Sequence, residues 1–217
     1  YYSASKRNRL MELSLVLGFI TATLALALMP GPDNIYVLTE SVSKGWRQGV
    51  GITAGLMSGV IIHTTLVATG VSLILIESDT AFDFLKYLGA AYLLYLAYGA
   101  FNEKPMDVHM KGQAKTEPFL VIFKRGFLMN VLNPKVSIFF IALLPQFVSS
   151  PGFSPMYQMM ILGFIFMLVS FVVFSSIALI SGRTARLIEH KAFWTTTKWV
   201  KVVLLISLTL LLVFIER

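Results

Sequence analysis

Cysteine does not occur anywhere in the 217 residues. Its absence removes disulfides, cysteine lipidation and thiolate metal centres from the options open to the chain. Charge is scarce as well. Only 13% of residues are Asp, Glu, Lys or Arg, while 56% are hydrophobic and mean hydropathy is +0.76. Soluble domains carry about 25% charged residues, so this composition describes an all-α integral membrane protein with no soluble domain larger than a loop. The marks of enzyme chemistry are missing too. No glycine-rich loop ends in Lys-Ser/Thr, no His-Glu-x-x-His occurs, and no serine sits in Gly-x-Ser-x-Gly. The expectation is therefore no catalytic residues, no metal and no cofactor. Glu77, Asp79 and Asp83 form an acidic set, but at the edge of an apolar segment, where solvent is the ordinary partner. The net charge of +7 lies mostly in short loops between apolar stretches, which points to the lipid bilayer and not to nucleic acid.

A membrane span needs about 20 mostly apolar residues. On that measure the candidates are 13–43, 48–76, 82–101, 124–150, 156–182 and 198–215. Lys6, Arg7 and Arg9 ahead of the first, with Ala25-Leu26-Ala27 behind, superficially resemble a secretory signal. The apolar run is at the long end for such a signal and everything downstream is equally apolar, so it reads as a span. Met11 looks like its natural start and residues 1–10 like an extension.

Two of the six candidates are interrupted. Pro30-Gly31-Pro32-Asp33-Asn34 divides the first, and Asn133-Pro134-Lys135 divides the fourth. Each proline removes a backbone donor and clashes with the preceding turn, so neither helix continues unbroken. Non-helical backbone at membrane depth persists only where protein or a water-filled cavity satisfies it. Paired broken spans in two halves of a chain are the mark of a transporter site built from half-helices. Six spans divide into three plus three, and an odd number obliges the second half to enter from the opposite side. The expected fold is a single transmembrane domain over 1–217, an inverted repeat of about 11–101 and about 124–217 joined by a cytoplasmic loop at 102–123.

Orientation follows from lysine and arginine. Lys44, Arg47, Lys104, Lys111, Lys115, Lys124, Arg125, Arg183, Arg186, Lys191, Lys198 and Lys201 fall on one face; Lys86 and Arg217, with the leader cations, fall on the other. The loops after the first, third and fifth spans are thus expected in the cytoplasm, and both termini outside.

In the second span Gly51, Gly55 and Gly59 recur every four residues, baring one helix face so that another helix can approach closely. A bulky residue at Gly55 should block that approach, with alanine better tolerated. His63 continues the face by one turn. It reads as a hydrogen-bonded structural residue or as a proton carrier, and the sequence leaves both open.

These broken spans resemble those of the LysE/RhtB family of amino-acid exporters, which implies a cargo with a carboxylate, an ammonium and a side chain. Half-helices starting after Pro32 and Pro134 would turn backbone N–H groups toward the carboxylate, joined by the charge of Lys135, while Asp33 would pair with the ammonium. The candidate substrate-binding set is Pro30, Gly31, Pro32, Asp33, Asn34, Asn133, Pro134 and Lys135. Asp33 and His63 are the candidates for proton coupling. The competing account of Asp33 and Lys135 is an ion pair that locks the two halves together.

Several stretches resemble the LysE/RhtB family of amino-acid exporters, homoserine/threonine efflux type. They are Met29-Pro30-Gly31-Pro32-Asp33, the series Gly45-x3-Gly49-x-Gly51-x3-Gly55-x3-Gly59-x3-His63, and Tyr87-Leu88-Gly89-Ala90-Ala91-Tyr92-Leu93. The most specific is Gly126-x6-Asn133-Pro134-Lys135, continued by Phe139-Phe140 and Leu144-Pro145-Gln146-Phe147. These cover spans one to four in order; the last departs, since Val202 to Phe214 holds neither glycine nor alanine. The resemblance implies a multi-pass secondary transporter of the inner membrane that exports a small amino acid or derivative. Homoserine, threonine, homoserine lactone or a basic amino acid is the cargo it implies, driven by proton antiport without an ATPase partner. Export of a divalent cation or other small solute is the runner-up; a membrane-embedded enzyme or helper subunit ranks below it. The oligomeric state is left open, a homo-oligomer included.

Overall fold

A computed structural model describes residues 2–28, 31–77, 79–102, 115–148, 154–181 and 191–214. Among these the regular elements are all helical: α1 Tyr2–Leu28, α2 Pro32–Lys44, α3 Trp46–Glu77, α4 Asp79–Phe101, α5 Phe119–Val131, α6 Pro134–Leu143, α7 Pro155–Leu179 and α8 Lys191–Phe214. A short 3-10 turn, Leu144–Phe147, extends α6. The helical stretch runs back through residues 2–10 into α1 without interruption.

Both interruptions are real bends. α1 and α2 meet at 56°, and α5 meets α6 with its 3-10 extension at 53°. Three helical segments, Trp46–Gly70, Asp83–Phe101 and Pro155–Leu179, are long and apolar enough to cross a membrane. With each bent pair taken as one span the number is up to five among the described residues, and α8 does not enter that count. α3 has 32 residues. At 1.5 Å per residue it is about 48 Å long, more than the hydrocarbon core of a bilayer, so its ends project beyond it.

One boundary differs from the sequence expectation. The loop taken to run to residue 123 ends earlier, because α5 begins at Phe119 behind Pro118. Proline at a helix start loses no intrahelical bond, and Phe119 to Phe123 is an apolar run ready to be helical. Residues 103–114, 149–153 and 182–190, the last including Arg183 and Arg186, lie outside the described residues.

α3 is the central element and packs most extensively on α5 and α7; α4 packs on α8 and α6, and α1 on α7. The α3–α5 contact is backbone to backbone. A Cβ on Gly55 would fall into the backbone of Phe123 and Phe127, and one on Gly126 into that of Ile52 and Leu56. Gly51 faces Ile122 and Phe119, and Gly59 faces Asn130 and Phe127. Even the single methyl of alanine at Gly55 therefore forces the α3 and α5 backbones to part, because the obstacle is main chain and cannot rotate away.

Between α2 and α3 the chain turns at Gly45, whose φ of 95° suits glycine and strains other residues. Its N–H caps α2 on Ser41 O at 3.0 Å. Phe166 of α7 meets Phe140 and Phe139 of α6 at 4.9 and 5.6 Å between ring centres. These rings seat the second half-helix against α7.

Candidate functional site

The helix starts after the two breaks converge on one cavity. Gly31, Pro32, Asp33 and Asn34 of the first break line it together with Asn133 and Lys135 of the second. Its volume is about 30 Å³, room for about two waters and too little for an amino acid. Leu26, Met57, Val136, Phe166 and Phe174 supply apolar wall.

Asn133 holds the two breaks together. Its side-chain oxygen accepts from the Lys135 backbone N–H at 3.0 Å, capping α6. Its amide nitrogen donates to Asp33 Oδ2 at 2.9 Å. Lys135 acts on Asp33 by Coulomb attraction across the same cavity. The Asp33 carboxylate is thus held by a hydrogen bond from Asn133, with the charge of Lys135 acting on it as well. Asn34 turns the other way and donates to the Ala27 carbonyl at 2.6 Å, satisfying an acceptor that the end of α1 would otherwise orphan. Tyr92 of α4 donates to the Lys135 carbonyl at 3.1 Å and so ties a third element to the start of α6.

Not every expected residue reaches the cavity. Pro30 lies outside the described residues. Pro134 is the first residue of α6 and shapes the start of that helix, but the cavity wall passes to its neighbours on either side. His63 is buried on α3 and does not line the cavity; its Nε2 bonds the Asn130 carbonyl at 3.1 Å. A carbonyl only accepts, so Nε2 carries the hydrogen. Asn130 in turn lines the cavity, which leaves His63 one residue behind it.

A second polar cluster, unforeseen in the sequence, joins the same two halves at the far end of α2. Glu117 accepts from Lys44 at 2.7 Å and from Arg125 Nη2 at 2.8 Å, and Lys44 also pairs with Glu40 at 2.8 Å. Arg125 donates to the Tyr36 hydroxyl at 2.7 Å, and Gln48 exchanges two hydrogen bonds with the Glu117 backbone. Hydrogen bonds from Arg125 and then Lys44 hold the Glu117 carboxyl down to about 2. The partners are 69 to 89 residues apart in sequence, apart from the local pairs, so charge counting along the chain saw only orientation signals there.

The family model for the LysE type translocator matches residues 24–215. The chain belongs to the LysE type translocator family. It is a multi-pass membrane transporter and not an enzyme. The translocator is 36% identical over 171 residues to the homoserine/homoserine lactone efflux protein of Salmonella typhimurium, covering 78% of this chain and 81% of that one. It is 32% identical over 133 residues to the leucine efflux protein of Salmonella choleraesuis, covering 60% and 61%. An uncharacterized membrane protein of Vibrio cholerae is 26% identical over 186 residues, 85% of this chain and 89% of the relative. No solved structure matches the translocator.

Proposed function

We propose that this translocator is a secondary active exporter of a small amino acid or derivative, driven by the proton gradient. The observation that carries the reading is the single cavity at which both broken spans meet, with Asp33, Asn133 and Lys135 on its wall. A zwitterion needs both signs of charge where water is scarce. Lys135 and the starts of α2 and α6 suit its carboxylate, and Asp33 suits its ammonium. Charge at membrane depth costs at least about 2.5–3.5 kcal/mol, so such groups are retained where they have a task. Asp33 is the group that exchanges the proton for the ammonium, with His63 in reach of the cavity through Asn130. A divalent cation would ask for more than one carboxylate, and among the described residues Asp33 is the only one on this wall. The relatives named for efflux of homoserine, its lactone and leucine agree with an amino-acid cargo.

In the same reading the chain forms six spans as a three-plus-three inverted repeat in the inner membrane, α8 being the sixth. The segment between α4 and α5 is cytoplasmic and both termini are outside.

Efflux from proteoliposomes loaded with a panel of amino acids, with and without a proton gradient, tests the activity. Asp33→Asn and Lys135→Met should each reduce efflux to background. The double variant should regain protein level, because no lone charge is left in the membrane, without regaining efflux. Transport by the double variant would reduce Asp33 and Lys135 to a structural lock and sink the binding assignment.

A further inference from the structure

Ser170 of α7 is almost fully buried, lines the cavity between the two broken spans, and has no hydrogen-bond partner for its hydroxyl. Buried hydroxyls elsewhere in the helices behave differently. Thr23, Ser41, Thr53 and Thr209 each donate to the carbonyl four residues earlier, at 2.6 to 2.9 Å. On α7 itself Ser176 does the same to Val172 at 2.7 Å. That back-bond is the default for a hydroxyl in an apolar helix, and Ser170 forgoes it. Thr64 and Ser175 are also unpartnered, but neither lines the cavity; the Asn130 side-chain oxygen of α5 is unpartnered and does line it, an acceptor that cannot donate, whereas the Ser170 hydroxyl can do both. Ser170 sits between Phe166 and Phe174, one helical turn to each side on the same stripe of α7, and both rings line the cavity too. The α7 wall is therefore apolar except for one hydroxyl with its donor and acceptor unused. The charged groups stand on α2 and α6, which are other elements of the wall.

We propose that Ser170 is the side-chain-reading residue of the site, and that it selects an amino acid whose short side chain carries a hydroxyl over one of the same shape that is wholly apolar. The inference rests on the amino-acid reading above: the charged groups of the two breaks take the carboxylate and ammonium, which leaves the side chain to the α7 wall. Between Phe166 and Phe174 the aliphatic part of such a side chain finds apolar surface. Its hydroxyl finds in Ser170 a group that can give or accept one hydrogen bond. An apolar isostere that fills the same space leaves the serine hydroxyl unpaired, which is the situation that yields strong discrimination.

The test uses homoserine and norvaline, which differ by a terminal hydroxyl in place of a methyl, in proteoliposomes of the full chain. Wild type should export homoserine at least about tenfold faster than norvaline at equal loading. Ser170→Ala should bring the ratio close to one, chiefly by losing homoserine efflux, with norvaline efflux retained. Ser176→Ala on the same helix should leave the ratio as in wild type. A wild-type ratio near one, or a ratio unchanged in Ser170→Ala, overturns the assignment while leaving the exporter reading intact. The wild-type ratio stands as evidence even if Ser170→Ala does not accumulate. Failure of wild type to export any amino acid sinks the exporter reading itself, and this inference with it.

Discussion

At the first break the chain leaves α1 at Leu28 and restarts at Pro32 with Gly31 as N-cap; at the second it leaves α5 at Val131 and restarts at Pro134 with Asn133 as N-cap. The bends are nearly equal, 56° and 53°. Their polar chemistry is not. Gly31 has no side chain with which to cap α2, and Asn34 instead reaches back to close the end of α1. Asn133 caps its own helix with its side-chain oxygen and, through its amide nitrogen, donates to the Asp33 carboxylate of the other break. The first break thus supplies the negative charge, and the second supplies the group that positions it. The same bend in each half does not require the same residues, because what must be satisfied is a set of orphan donors and acceptors and not a sequence.

Asn133→Ala should separate the breaks most strongly. It removes an N-cap, worth about 1 kcal/mol, and a hydrogen bond to a charged acceptor, worth about 1.5–3 kcal/mol. Thermal unfolding in detergent should shift down accordingly, and efflux should be lost because Asp33 is no longer held. Near-normal efflux would mean that the joint between the breaks is incidental. Asn34→Ala should cost less, about 1–3 kcal/mol for one buried carbonyl left without its donor. Its effect should be on stability first, with efflux per folded molecule largely kept. A greater loss of efflux than in Asn133→Ala would reverse the division of labour between the breaks.

The smallest effect is expected at the ionic cluster, which joins the same two halves outside the breaks. The Glu117 carboxyl is depressed to about 2 from an ordinary value of 4.5. A depressed acid stabilises the fold in full above its unfolded pKa and loses that contribution as pH falls through the folded one. The difference in melting temperature between wild type and Glu117→Gln should therefore be flat from pH 5 to pH 8. It should shrink from about pH 4.5 downward and vanish below about 2. A difference that changes between pH 6 and pH 8 would show that another group titrates with the cluster.

What the sequence determined by itself was local. Pro32 and Pro134 cannot sit inside continuous helices, Gly51, Gly55 and Gly59 must share a face, and apolar runs of such length must be membrane helices. Steric and periodic rules that act within a few residues of chain suffice for each of these. The segment end at Phe119 lay within the same reach, since Pro118 marks it. The partnerships were decided only by tertiary structure. Asn133 and Asp33 are 100 residues apart, and nothing within a turn of either shows that the amide of one positions the carboxylate of the other. Alanine at Gly55 was expected only to be better tolerated than a bulky residue, and the α5 backbone lying against it shows that even a methyl needs the helices to shift, because the sequence reports which side chains are small but not how near the neighbouring main chain comes. Ser170 looked like any serine in an apolar helix. Its significance depends on a hydrogen bond it does not make and a cavity it faces, and both arise from the packing of α7 against two broken spans elsewhere in the chain.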